Sequence, residues 1–161
     1  MSSTETTILR ALIEKENGFV SGSVLARTLG MSRVAVWQHM EKMRGHGFEF
    51  EAVRARGYRL IKRPDGVYRD LIFAYLASRK LHFDLLYHEE IDSTNDEAAR
   101  QLAAGREAPF IVVTRKQTRG RGRFGRVWHS EDNGNLYISF AFRPKLEPAR
   151  MQTFTLWMGV N

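Results

Sequence analysis

Between Leu29 and Arg33 the chain has about three residues in which to leave one helical period and enter the next, and that short turn constrains the fold more than any other feature. Ser21 can cap a helix whose apolar side is Val24, Leu25 and Leu29, and Gly30 can take the left-handed conformation that ends it. Ser32 then starts another helix almost at once. Two short helices joined through a glycine turn are the mark of a helix-turn-helix, with the second as recognition helix. On that helix Val36, Met40 and Met43 point to one side, which leaves Arg33, Val34, Trp37, Gln38, Glu41 and Lys42 toward the other half. Arginine can read guanine and glutamine adenine through paired hydrogen bonds, and a helix start can receive a phosphate. Ser32, Arg33, Gln38 and Lys42 are therefore the candidate DNA contacts, against the competing reading of a small bundle with a solvated polar face.

The flanking segments favour DNA binding. From Thr4 to Glu16, Ile8, Leu9, Leu12 and Ile13 recur at helical spacing, and Asn17-Gly18 ends that helix. After Gly47, Phe48, Phe50 and Ala52 alternate with Glu49, Glu51 and Val53, and Arg54-Ala55-Arg56-Gly57 turns the chain into Tyr58-Arg59-Leu60. This is a hairpin with a basic tip, a wing, whose Arg54 and Arg56 can lie along backbone phosphates. Pro64-Asp65-Gly66 reads as a linker or turn.

Charge is concentrated in two places. Lys and Arg number 25 against 18 acids, a formal charge of +7. Residues 27–63 hold nine of these cations with three Glu, and residues 115–126 hold six with no acid. One polyanionic partner cannot be assumed for both stretches. The absence of cysteine excludes disulfides and thiolate zinc sites, and the five histidines show no close metal-ligand spacing, so no metal site is expected. The start lacks the pattern of a signal peptide and no apolar run approaches the length of a membrane span, so a cytoplasmic protein with no membrane partner is expected.

In the second half, Leu71, Ile72, Tyr75 and Leu76 keep a helical period over 68–81, and Phe83 to Tyr87 suits a strand leading toward Asp92-Ser93-Thr94-Asn95. Thr94 followed by Glu97 matches a capping box for a helix carrying Ala98, Ala99, Leu102 and Ala103 and stopped by Gly105. Two hydroxyls and an amide at a helix start can bind a polar ligand group, although capping alone accounts for Ser or Thr there in most proteins. Pro109 to Thr114 reads as a buried strand, and Leu136 to Phe142 as a strand with unlike faces.

Between those strands runs Arg115-Lys116-Gln117-Thr118-Arg119-Gly120-Arg121-Gly122-Arg123-Phe124-Gly125-Arg126-Val127-Trp128. Its glycines permit close backbone approach, and its arginines supply forked donors for carboxylate or phosphate. Such a loop can surround an anion and close over it. An RNA-binding Arg-Gly tract, a nucleotide loop of another class and a solvated surface loop are the alternatives. The tract lacks the Gly-Lys-Ser/Thr ending of a Walker loop and does not precede a helix as a dinucleotide fingerprint does, and RNA-binding Arg-Gly tracts lie in low-complexity sequence rather than between strands.

Taken in order, the winged helix, Asp92-Ser93-Thr94-Asn95, Gln117 with Gly120-Arg121-Gly122-Arg123-Phe124-Gly125-Arg126 and Trp128, and Asn135-Leu136-Tyr137 resemble the biotin protein ligase family, in its bacterial subclass that also represses biotin synthesis genes. The resemblance implies an α+β chain: a winged helix-turn-helix over 1–63, a linker over 64–67, and over 68–161 the first part of an incomplete mixed α/β ligase domain with a biotin/lipoate ligase-like sheet. It implies that Ser93, Thr94 and Asn95 hold biotin, that Gln117 contacts its rings, and that Gly120, Arg121, Gly122 and Arg123 close on biotin and biotinyl-adenylate. In that reading Arg121 and Arg123 are the catalytic residues, with Gly125, Arg126 and Trp128 supporting the loop. The implied chemistry is attack of the biotin carboxylate on the α-phosphate of ATP with Mg2+, loss of pyrophosphate, and transfer to a lysine of a biotin carboxyl carrier protein domain. Ligand-ordered loops would form a homodimer that binds operator DNA.

Two departures stand out. Phe124 occupies a position that is often basic in the family. The family's Lys-Trp-Pro-Asn segment, whose lysine contacts biotin and the adenylate, does not occur before Asn161, so this chain alone is expected to be a poor or inactive ligase. Thr153 to Val160 is an apolar stretch expected to form a buried helix. The alternative function is a stand-alone winged-helix regulator with a degenerate biotin-sensing remnant.

Overall fold

A computed structural model describes residues 3–122, 126–128, 135–143, 145 and 147, with the backbone alone for Val127 and Trp128. Helices α1 (Thr4–Glu14), α2 (Gly22–Leu29) and α3 (Arg33–Gly45) precede a hairpin of β1 (Glu49–Val53) and β2 (Gly57–Lys62). Each helix starts on a serine in extended conformation: Ser3 accepts from the Thr6 amide, Ser21 from Ser23 and Ser32 from Ala35, so each cap satisfies a donor the helix cannot. Gly30 ends α2 at φ 63°, as the turn between α2 and α3 requires.

The first core is built from Ile8, Leu9, Leu12, Leu25, Val36, Met40 and Met43 of the helices with Phe48 and Phe50 of the hairpin. On α2 the apolar side differs from the sequence expectation. Leu25 and Ala26 are buried while Val24 is half exposed, because the stripe centres on positions 25, 26 and 29 rather than 24. Val20 exchanges two backbone hydrogen bonds with Tyr58, at 2.8 and 2.9 Å, and so stitches the chain before α2 to the wing. Gly57 makes that approach possible: with φ 107°, a side-chain carbon there would stand 2.1 Å from the Val20 carbonyl oxygen.

The second half opens with α4 (Arg69–Ser78), followed by β3 (Leu85–Ile91), α5 (Thr94–Ala103) and β4 (Phe110–Gln117); the two-residue strands β5 (Gly120–Arg121) and β6 (Val127–Trp128) and then β7 (Tyr137–Ala141) complete the described elements. Sheet order is β3-β4-β7, parallel between β3 and β4 and antiparallel between β4 and β7. A parallel pair needs a crossover, and α5 supplies it. It packs Ala98 and Leu102 over Phe110, Val112, Leu86 and Ala141. Strand β3 starts later and runs further than the sequence indicates; Phe83 lies outside it and is half exposed.

Helix α4 falls in the ligase half by sequence yet packs on α1. Ala74 is buried in the first core, with Tyr68 and Leu71 against it, and Asp70 accepts from Ser3 at 2.6 Å and Thr6 at 2.8 Å. The expected helix over 153–160 lies outside the described residues.

Candidate functional site

Parallel register brings the end of β3 beside the end of β4, pairing Ile91 with Gln117. The chain leaves β3 through Asp92, which accepts from the Ser93 amide at 2.8 Å and receives both nitrogens of the Arg100 fork at 2.8 Å. Those donors, Arg100 first and the Ser93 amide second, hold the Asp92 carboxyl far below the usual carboxylate range. Burial pushes Glu97 upward, but hydrogen bonds from Gln101 and Arg100 leave it below its ordinary value. A fixed acid-arginine frame thus anchors the first turn of α5.

The cap of α5 is Ser93, one residue before the Thr94 of the sequence-derived capping box. Its hydroxyl accepts from the Asp96 amide at 3.4 Å. Ser93 is thereby occupied by the helix, and Thr94, as the first helical residue, is available for other contacts. The Thr94 amide donates to Gln117 Oε1 at 2.8 Å and its hydroxyl lies 3.1 Å from the same oxygen. Ser139 Oγ on β7 sits 2.9 Å from Thr94 Oγ1 and 2.6 Å from Asn95 Oδ1. Each hydroxyl has one proton, so with Ser139 donating to Asn95 the Thr94 hydroxyl donates either to Ser139 or to Gln117 Oε1, not to both. A polar chain from Asn95 through Ser139 and Thr94 to Gln117 results, buried at Ser139 and Thr94.

Ser93, Thr94, Asn95, Gln117 and Arg121 line one cleft of about 330 Å³ with Tyr137, Ser139 and Asn135. The candidate ligand residues therefore meet, and they do so at the edge of the sheet beside the start of a helix. Its polar wall can orient a ligand carrying amide or ureido groups, and Arg121 at its rim can meet an anion. Gly120 and Arg121 are held by pairing with Trp128 and Val127, and Gly122 donates to the Arg126 carbonyl at 2.7 Å, so the described part of the Gly/Arg stretch is a hairpin. Arg121 makes an ion pair with Asp96. Arg126 is exposed. Arg123 and Gly125, and the side chain of Trp128, lie outside the described residues.

Sequence reasoning missed Ser139 and Asp96. A single serine in the otherwise largely apolar run Leu136 to Phe142 was the available signal for Ser139, since a buried polar group implies a partner. Nothing in the sequence pairs Asp96 with Arg121, which are 25 positions apart.

The DNA candidates divide into two groups. Arg33 and Arg54 line one cleft of about 390 Å³ with Ser21, Gly22 and Ser23, between the recognition helix and the wing. Arg56 stacks its guanidinium 4.2 Å from the Phe19 ring centre, and Gln38 is exposed. Ser32 is the α3 cap. Lys42 instead donates to Glu5 at 2.9 Å, beside a 3.1 Å contact from His39, which ties α3 to α1. Glu5 raises Lys42 in turn.

Comparison with known proteins agrees with this division of the chain. Residues 4–59 match the HTH domain family, and residues 87–161 match the biotin/lipoate A/B protein ligase family. The chain is 39% identical to the bifunctional ligase/repressor BirA of Bacillus subtilis over 96% of its own length and 49% of that protein. It is 30% identical to the protein of the same name from Escherichia coli, over 96% of this chain and 47% of the other. A solved structure of biotin protein ligase from Leishmania major in complex with biotinyl-5-AMP superposes with a TM-score of 0.42 at 34% identity, covering 48% of this chain and 31% of that one. The chain spans about half the length of the curated relatives it matches. With a helix-turn-helix ahead of a ligase-type sheet and each matched by its own family model, the chain is similar over almost its whole length to about half the length of the bifunctional ligase/repressors.

Proposed function

We infer that the protein to which this chain belongs is an ATP-dependent biotin protein ligase that also represses biotin synthesis genes by binding operator DNA. The observation that carries this reading is the meeting of Ser93, Thr94, Asn95, Gln117 and Arg121 in one cleft behind a winged helix. In this reading the Asn95-Ser139-Thr94-Gln117 chain fixes the donors and acceptors that face the ring system of biotin. Arg121, with Arg123, meets the charge that grows on the α-phosphoryl oxygens as the biotin carboxylate attacks ATP and pyrophosphate leaves. The biotinyl-adenylate is then attacked by a lysine of a biotin carboxyl carrier protein domain. Mixed anhydrides hydrolyse readily, so closure of the Gly120 to Arg126 segment over the adenylate would also exclude water.

Magnesium arrives in this reading on the ATP phosphates, as a hard cation that binds phosphate oxygens. The reading includes two units, 1–63 and 68–161 joined at 64–67, a cytoplasmic location and a homodimer in the ligand-bound state. Among the described residues no helix is long and apolar enough to cross a membrane.

Calorimetric titration with biotin, a non-hydrolysable biotinyl-adenylate analogue and a short RNA tests the ligand half. The adenylate analogue is expected to bind more tightly than biotin, and RNA not to compete. RNA displacing the analogue, or no binding of either biotin compound, would remove the ligase reading.

A further inference from the structure

The outward side of α3 is half apolar. Val34 is 64% and Trp37 49% exposed, while Val36, Met40 and Met43 of the same helix are sealed in the core. A face meant only for water is ordinarily charged or amidic, and tryptophan carries a large apolar surface that gains from being covered. Helical spacing sets Val34 and Trp37 one turn apart, with Arg33 one turn before Trp37 and Gln38 one turn after Val34. The four residues therefore form one patch, two apolar side chains bordered by a guanidinium and an amide.

Arg33 and Arg54 are the cations beside the patch, and the acid one turn beyond Trp37, Glu41, is paired with Arg44. Arg33 belongs both to it and to the cleft that holds Arg54, whereas Lys42 is turned toward Glu5 and away from this role. Two copies of the chain meeting through this patch would bring like charges together. A B-form major groove offers the opposite charge, and its floor carries one apolar group, the 5-methyl of thymine.

We propose that Val34 and Trp37 read thymine 5-methyl groups in the major groove, with Arg33 and Gln38 pairing to purines beside them. This rests on the DNA-binding reading above. Sequence preference then comes from a mixed apolar and polar patch, while Arg54 and Arg56 of the wing hold phosphate and set the register.

Deoxyuridine pairs as thymidine does and lacks only the methyl. The full chain would be used to select its tightest duplex from a random pool at fixed salt, and that duplex would be remade with deoxyuridine in place of thymidine. Affinity is expected to fall roughly fourfold for each methyl in contact. Val34→Ala and Trp37→Ala, both at exposed positions, should unfold at the parent temperature and bind the two duplexes more nearly alike. Equal binding of the parent chain to both duplexes overturns the methyl-reading proposal and leaves the DNA reading standing. No salt-dependent binding to any duplex overturns the DNA reading itself. Concentration-dependent dimerisation lost in Trp37→Ala would assign the patch to a second copy and overturn the proposal in favour of self-association.

Discussion

Thr94, at the start of α5, meets Gln117 at the end of β4, the Thr94 amide donating to Gln117 Oε1 at 2.8 Å while the hydroxyl lies 3.1 Å from the same oxygen. Thr94→Val keeps the volume and the amide bond but removes the hydroxyl that lies between Gln117 and Ser139. Stability is expected to fall by about 1 kcal/mol in urea unfolding, the net worth of an ordinary hydrogen bond. Affinity for biotin, measured by calorimetry, should fall by roughly tenfold, because a side chain free to turn no longer presents one fixed set of donors. Unchanged biotin affinity would separate this chain of hydrogen bonds from the ligand.

Asp96 and a phosphoryl group would compete for the same guanidinium of Arg121. Asp96→Asn releases the arginine and should tighten binding of the adenylate analogue by roughly two- to fivefold, the range of an exposed ion pair. An uncharged biotin amide should bind as before. Weaker binding of the analogue would mean that Asp96 aims the arginine rather than detains it.

Glu5 is buried between α1 and α3, and although burial raises it, bonds from Lys42 and His39 leave it below its ordinary value of 4.5. Its contribution is present above that value and disappears as pH falls through the lower value of the folded protein. Glu5→Gln should therefore cost about 1 kcal/mol at neutral pH and flatten the loss of stability below about pH 4.5, as read by urea unfolding across pH. An identical acid profile in parent and variant would count against the assignment.

On the DNA face, Arg33→Ala and Lys42→Ala should behave differently. Loss of Arg33 removes a cation from the cleft it shares with Arg54, and affinity for duplex DNA is expected to fall at least roughly tenfold. Lys42→Ala should act more on thermal stability than on DNA affinity. Filter binding with both variants checks the order of effects.

Gly57→Ala forces a carbon against the Val20 carbonyl at a backbone angle few L-residues adopt. A loss of roughly 3 kcal/mol is expected, with the wing detached before the helices unfold. Amide exchange at Val20 and Tyr58 would detect the early opening.

Helix-turn-helix spacing, the caps Ser21 and Ser32 and the wing were legible in the sequence because each rests on contacts a few residues apart. So was the clustering of Ser93, Thr94 and Asn95, which neighbour one another. The link from Thr94 to Ser139 was hidden, because it depends on β7 pairing antiparallel beside β4, and strand order is not written in any local period. Lys42 read as a DNA contact for a similar reason: its partner, Glu5, lies 37 positions earlier, and both sit in helices whose relative placement the core decides. The one-residue difference in the α5 cap is a local matter, in which the extended backbone of Ser93 decided between two adjacent hydroxyls.

Helix α4 belongs to the second half by sequence and to the first by packing. Lengthening the Pro64-Asp65-Gly66 turn would therefore leave the two halves no freer to swing, since α4 remains seated on α1 through Ala74 and Asp70. Freedom between the two halves would have to arise downstream, in the stretch 79–84 between α4 and β3.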